Sequence, residues 1–195
     1  MRRAWMFNLV TLRDTIRIAP SRFGEPLEAA AFDELRSKYE GLVDEELGYV
    51  ISVVGLEVSP VGRILAGDGG THHQVTFSLL TFYPQLQEVV EGEIVEVADF
   101  GAFLRIGPVD ALLHVSQLMD DFISYDEKQG VLLGKGSGRT IHRGDLFRVR
   151  VVAVSFPRGR SSGKIGVTAR QPFLGKLEWI EEEVKKAREA REGEA

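Results

Sequence analysis

Two phenylalanines, an arginine and a histidine stand close together in "ADFGAFLRIGPVDALLHVS", residues 98–116: Phe100, Phe103, Arg105 and His114. In an extended chain successive side chains alternate between faces. Phe103 and Arg105 therefore oppose Leu104 and Ile106, while Leu112 and His114 oppose Ala111, Leu113 and Val115. "KIGVTAR" divides in the same way, with Ile165, Val167 and Ala169 against Lys164, Thr168 and Arg170. One side of each strand can fill a core, and the other gathers rings, an imidazole and cations. Such a surface suits unpaired nucleic acid, because bases stack on aromatic rings at ~1–3 kcal/mol each and cations hold the phosphates. The plainer alternative is that Phe103 packs under a terminal helix or a partner and that His114 is an ordinary surface histidine.

A second constellation lies in "PVGRILAGDGGTHH", which joins two strand patterns. A hairpin needs only about two to five residues at such a point. This connection is longer and sets Gly62, Arg63, Ile64, Leu65, Gly67 and Asp68 in its middle, with two large apolar side chains facing outward. A projecting, partly apolar loop suits gripping a partner; the alternative is a disordered connection.

Catalytic chemistry finds less support. "GVLLGKGSG" has glycines and a lysine, but only three residues separate Gly130 from Gly134, and Gly136 follows Lys135 where a phosphate-binding loop needs Ser or Thr. His72 and His73 are adjacent in a strand pattern and so point to opposite faces, which argues against joint metal ligation. Asp120, Asp121 and Asp126 lack further ligands nearby in the sequence. No catalytic residue, metal or cofactor is expected.

These groups must be positioned by a chain of 195 residues, 44% of them hydrophobic, enough for one large or two small domains. Residues 5–19 read as a strand. "GEPLEAAAFDELRSKYEG" carries helix signals, with Pro26 in the first turn and Leu27, Ala31 and Leu35 on one face. Residues 47–58 form a nearly continuous apolar run, as expected of a strand covered on both faces, and residues 72–82 alternate. The first part is thus β-α-β-β. After Pro84 come five short strand patterns, 88–98, 101–106, 109–115, 144–154 and 164–170, which suggest a small closed barrel. Residues 120–144 read as a polar insertion with a weak hairpin. A terminal helix follows, with Leu174, Leu177, Ile180, Val184 and Ala187 in one stripe.

The expected fold class is α+β: an N-terminal truncated ferredoxin-like or RNP-like domain (1–82), a five-stranded OB-fold barrel (83–172), and a terminal helix and tail (173–195). The absence of cysteine suits a reducing compartment. The opening "MRRAWMFNLV" is read as a first strand rather than a leader. No apolar stretch is long enough for a membrane helix, so a cytoplasmic protein is expected. The net charge of -5 is unevenly spread: residues 88–127 hold ten acidic side chains against Arg105 alone, and 128–176 hold eleven basic ones against Asp145 alone. The basic block favours a polyanion, unless the two blocks pair with each other.

"EGEIVEVADFGAFLRIGPVDALLHVSQL", "GDLFRVRVVAV" and "KIGVTARQP" resemble the RNA-binding barrel of the ribosomal protein S-one type. That resemblance puts Phe100, Phe103 and His114 on the RNA face, with Lys164 or Arg170 at its basic position. Nearly the whole chain, including "GRILAGDGG", the 120–144 insertion and "ARQPFLGKLEWI", resembles the E-prime family of archaeal RNA polymerase stalk proteins. The resemblance implies a non-catalytic stalk component that pairs with the polymerase's small helical F component. It also implies docking on the polymerase core through residues 62–70 beside the clamp, and binding of nascent single-stranded RNA. RNA-binding subunits of an RNA-degrading, exosome-like complex and translation factors use similar barrels and are the competing readings.

Overall fold

The computed structural model describes residues 6–156 and 163–193, with side chains described through Glu189. Trp5 of the expected first strand, and Arg158 and Arg160 of the basic block, lie outside the described residues. The chain divides into two compact units, Met1–Tyr83 and Pro84–Ala195.

The first unit runs β1 (Phe7–Ile18), α1 (Leu27–Tyr39), β2 (Val43–Asp44), β3 (Gly48–Val58), β4 (Arg63–Ile64) and β5 (Thr71–Phe82). The strands form an antiparallel sheet in the order β1-β5-β3-β2, and β4 pairs with β5 beyond the end of β3. Alternation turns Ile16 and Ile18 of β1 and Val75, Phe77 and Leu79 of β5 to one face, where Ala30, Ala31 and Leu35 of α1 cover them. The two alanines let the helix axis come close to the sheet.

One expectation fails here. β3 is covered on one face only: Val50 and Val53 are buried, but Val54 is 51% exposed, beside an open sheet face that also shows Phe7 and Leu9. A single helix cannot cover two faces. Two bulges in β3, at Val50/Ser52 and Val53/Gly55, also break the alternation that its apolar run would otherwise keep.

The second unit contains β6 (Val89–Ala98), β7 (Gly101–Ile106), β8 (Val109–His114), β9 (Ile123–Asp126), β10 (Val131–Gly134), β11 (Thr140–Ile141), β12 (Leu146–Ser155), β13 (Lys164–Thr168), β14 (Gly175–Lys176) and α2 (Leu177–Gly193). Five strands in the order β13-β8-β7-β6-β12 close into a barrel because β12 also pairs with β13. Ile94, Leu104, Ile106, Leu113, Val149, Val151, Ile165 and Val167 fill its buried interior, each worth roughly 1.5–3 kcal/mol of burial. At one end Phe147 meets Trp179 of α2 edge to face at 5.7 Å.

Three details depart from expectation. The insertion is a three-stranded sheet, β11-β10-β9, and no weak hairpin: Val131, Leu132 and Ile141 are buried beneath its polar residues. Thr168 is buried, not outward with Lys164 and Arg170, because Ala169 N–H donates to Gln117 O and draws the end of β13 onto the turn after β8. Leu174 stands outside the helix, since Gly175 and Lys176 first pair with Arg148 and Phe147 as β14. The apolar stripe of α2 is covered only at its start, with Ile180 buried, Val184 half-buried and Ala187 exposed. No helix among the described residues is long and apolar enough to cross a membrane.

Candidate nucleic-acid interface

Strands β7 and β8 carry the aromatic group. Their register sets Gly101 opposite His114, Phe103 opposite Leu112 and Arg105 opposite Asp110. Directly opposed residues of an antiparallel pair share a face, so His114 stands over the one position of β7 that lacks a side chain. Gly101 has φ +151°, and a Cβ there would lie 2.4 Å from Leu113 O and 2.9 Å from His114 Cα. The close approach of the two strands therefore depends on this glycine. Phe100 precedes it, and its carbonyl accepts a hydrogen bond from Val115 N–H at 2.9 Å. The Phe100 and Phe103 rings meet edge to face, centroids 6.0 Å apart and planes at 84°. Phe100 is 45% exposed and Phe103 half-buried, while His114 is exposed.

The imidazole is oriented by its own turn. Ser116 N–H donates to His114 Nδ1 at 3.2 Å, and the Ser116 hydroxyl lies 2.8 Å from the same nitrogen. A ring nitrogen that accepts from a backbone amide carries no hydrogen, so Nε2 is the donor in the neutral ring.

The cations are arranged less simply. Arg105 is on the outer face with Phe103, but Asp110 takes two bonds from its guanidinium at 2.9 and 3.2 Å and holds its pKa above the ordinary value. Arg170 donates to Ser116 O at 3.1 Å, joining the turn that holds His114, and forms an ion pair with Asp120. Lys164 is exposed and makes no ion pair among the described residues. The structure thus gathers Phe100, Phe103 and His114 tightly, ties Arg170 to them through Ser116, and pairs both guanidiniums with exposed carboxylates, Arg105 with Asp110 and Arg170 with Asp120. Asp110, Asp120 and Ser116 were missed in the sequence: Asp110 sits across a tight turn from Arg105, which was a readable signal, whereas Asp120 lies 50 residues from Arg170.

The loop between β3 and β5 is likewise built. Arg63 and Ile64 pair with His72 and Thr71, and a Cβ at Gly62 would lie 2.5 Å from His73 Nε2. Asp68 is its knot, accepting from Arg17, Gly70 N–H and His72. The Arg17 bonds first, then the other two donors, hold its carboxyl well below the usual range. Ile64 and Leu65 are 71% and 52% exposed. His73 points the other way and is buried, its Nδ1 2.8 Å from Ser59 O.

The glycine-rich "GKGSG" does form a cup of amides, and Asp121 occupies it. Ser137 N–H, the Ser137 hydroxyl, Gly136 N–H and Phe122 N–H all donate to this carboxylate, which lowers its pKa to about 2. Among the described residues no group of three His, Cys, Asp or Glu side chains is placed to hold a metal ion.

Residues 13–69 match the family described as "SHS2 domain found in N terminus of Rpb7p/Rpc25p/MJ0397", and residues 83–166 match "S1 RNA binding domain". The chain is 41% identical to the DNA-directed RNA polymerase subunit Rpo7 of Saccharolobus shibatae over 90% of its own length and 97% of that protein. The chain belongs to the Rpo7 family of DNA-directed RNA polymerase subunits. It is 38% identical to the Rpo7 of Sulfolobus acidocaldarius, covering 93% of this chain and 99% of that one. It is 27% identical to the DNA-directed RNA polymerase III subunit RPC8 of Bos taurus, covering 89% and 98%. The SHS2 match contains the loop Gly62–Asp68, and the S1 match contains Phe100, Phe103, Arg105, His114 and Lys164; Arg170 lies past its end.

Proposed function

We propose that this chain is a non-catalytic stalk subunit of a cytoplasmic DNA-dependent RNA polymerase that binds exiting single-stranded RNA on the outer face of its barrel. The observation that carries this reading is the Phe100–Phe103 pair, one ring exposed and the other half-buried, 6.0 Å apart and flanked by an oriented His114, within an S1 RNA binding domain. The rings offer stacking surfaces, His114 a hydrogen-bond donor, and Lys164 and Arg170 charge for phosphates. Two further features support assembly with other polymerase components. The open sheet face bearing Phe7, Leu9 and Val54 leaves apolar surface for a covering partner, the small helical F component. The loop Gly62, Arg63, Ile64, Leu65, Gly67 and Asp68 projects two exposed aliphatic side chains from a braced base, as a tip docking on the polymerase core beside the clamp requires.

The test is retention of labelled single-stranded RNA at low salt by Phe103→Ala with His114→Ala. Loss of one stacking ring weakens binding by ~1–3 kcal/mol while thermal melting and pairing with the F component stay unchanged. Equal retention removes the RNA role from these residues. Ile64→Asp with Leu65→Asp should abolish co-purification with core polymerase and spare pairing with the F component; normal co-purification removes the tip from the interface.

A further inference from the structure

We propose that a groove of about 390 Å³ between the insertion, the end of the barrel and the start of α2 is a second single-stranded RNA subsite, taking a further nucleotide of the strand held on the Phe100–Phe103–His114 face. The proposal rests on the reading of that face given above.

Phe173 lines this groove with 61% of its surface exposed and a backbone φ of +61°. A bulky L residue rarely adopts that conformation, and glycine would hold it without strain. The turn Gln171–Leu174, closed by Leu174 N–H donating to Gln171 O with Pro172 second, demands a positive φ at its third position, where glycine is the usual residue; a large exposed ring there instead is a surface offered to a ligand. Trp179, also in the lining, is fixed by Phe147 behind it and by the Arg139 guanidinium 4.8 Å from its ring centroid.

Two guanidiniums, Arg139 and Arg170, stand on different walls. Arg139 pairs with Glu183 at 2.9 Å and Arg170 with Asp120, and the two carboxylates are 53% and 69% exposed. Exposed ion pairs are weak, so a phosphate can take the place of either carboxylate and form the stronger forked contact. Asp121, the third acid in the lining, is already held by the amides of Gly136 and Ser137.

Continuity makes the ligand a strand. Arg170 donates to Ser116 O, and Ser116 orients His114, so the groove begins where the aromatic face ends. The groove is lined by apolar residues such as Leu118, Met119 and Leu174 as well as by rings, but its two guanidiniums, on different walls, favour a phosphate-bearing chain over an apolar peptide.

The experiment titrates the full chain, with Trp5→Phe so that Trp179 is the sole tryptophan, against oligouridylates of about 4 and about 12 nucleotides, the range of one OB fold. RNA anisotropy and Trp179 fluorescence are read together. Phe173→Gly, which relieves the backbone, should weaken the long strand at least about five-fold and leave the short one unchanged. Glu183→Gln should tighten the long strand about two-fold by freeing Arg139. Trp179 emission should respond only to the long strand, and Phe103→Ala should weaken both. Long-strand affinity unaffected by Phe173→Gly, with Phe103→Ala still damaging, overturns the subsite and spares the barrel face. Equal weakening of both lengths by Phe173→Gly, or a Trp179 signal silent to both, also overturns it. No effect of Phe103→Ala overturns the face, and the subsite with it.

Discussion

Arg17, near the end of β1, donates from Nε to Asp68 Oδ2 at 2.8 Å and from its terminal nitrogen to Oδ1 at 2.6 Å, across 51 residues of sequence. This forked pair ties the loop carrying Ile64 and Leu65 to the sheet. Its side chains are 49% and 26% exposed, so its effect is local. Asp68→Asn should raise hydrogen exchange at Gly70 and trypsin cleavage after Arg63 about two- to five-fold, the scale of an exposed ion pair, with an unchanged melting temperature. Unchanged exchange would mean that the β4 pairing and the Gly62–His73 approach alone brace the loop.

Asp121 makes the insertion sensitive to acid. Its folded pKa, about 2, lies below the ordinary 3.8. Such a group contributes stability that is complete above the unfolded value and is lost as pH falls through the folded one. The amides of Gly136 and Ser137 should therefore keep their hydrogen-bonded chemical shifts above about pH 4 and lose them toward about pH 2, while amides of β7 and β8 stay in place. Asp121→Asn should show the loosened state at neutral pH. A titration of these amides centred near the ordinary carboxylate value would contradict the arrangement.

The barrel was legible because its strands alternate cleanly: Leu104 and Ile106 against Phe103 and Arg105 need only the two-residue period to be sorted. The same logic separated His72 from His73. It failed where a second interaction overrode the period, as at Thr168, buried where the neighbouring Ala169 N–H bonds to Gln117 O, and in β3, where Gly55 marks one bulge but no residue type marks the other, at Val50/Ser52. The insertion hid its sheet because its glycines and polar residues mask the few buried positions, Val131, Leu132 and Ile141. Pairings such as Arg170–Asp120 depend on chain closure over long separations, and the positive φ of Phe173 is invisible in a sequence that offers an aromatic residue where glycine would be expected.

Gly101 sets the spacing of the aromatic face. A methyl group there meets backbone, Leu113 O and His114 Cα, neither of which is the yielding end of a side chain. Gly101→Ala should cost ~1–3 kcal/mol of overpacking in the second unit and weaken RNA binding beyond what that destabilisation explains, because Phe103 and His114 move apart. Denaturant unfolding with RNA titration below the transition separates the two effects. A variant that is destabilised yet binds normally would show that the spacing of the two strands is irrelevant to the ligand.

The Arg105–Asp110 pair bears on how strongly this face draws phosphates. Asp110 neutralises a guanidinium that shares the face with Phe103, with both side chains substantially exposed, at 58% and 40%. Removing that carboxylate frees one cation without disturbing the barrel interior, which Leu104, Ile106 and Ala111 fill from the opposite face. Each cation newly engaged on a single strand steepens the dependence of log affinity on log salt by about 0.7. Asp110→Asn should therefore bind single-stranded RNA more tightly at low salt, with a slope steeper by about that amount, and converge on the parent as salt rises. Arg105→Gln, which leaves the Asp110 carboxylate uncompensated on the same face, should instead bind more weakly than the parent at low salt. Parallel salt curves for parent and Asp110→Asn would place Arg105 outside the path of the strand.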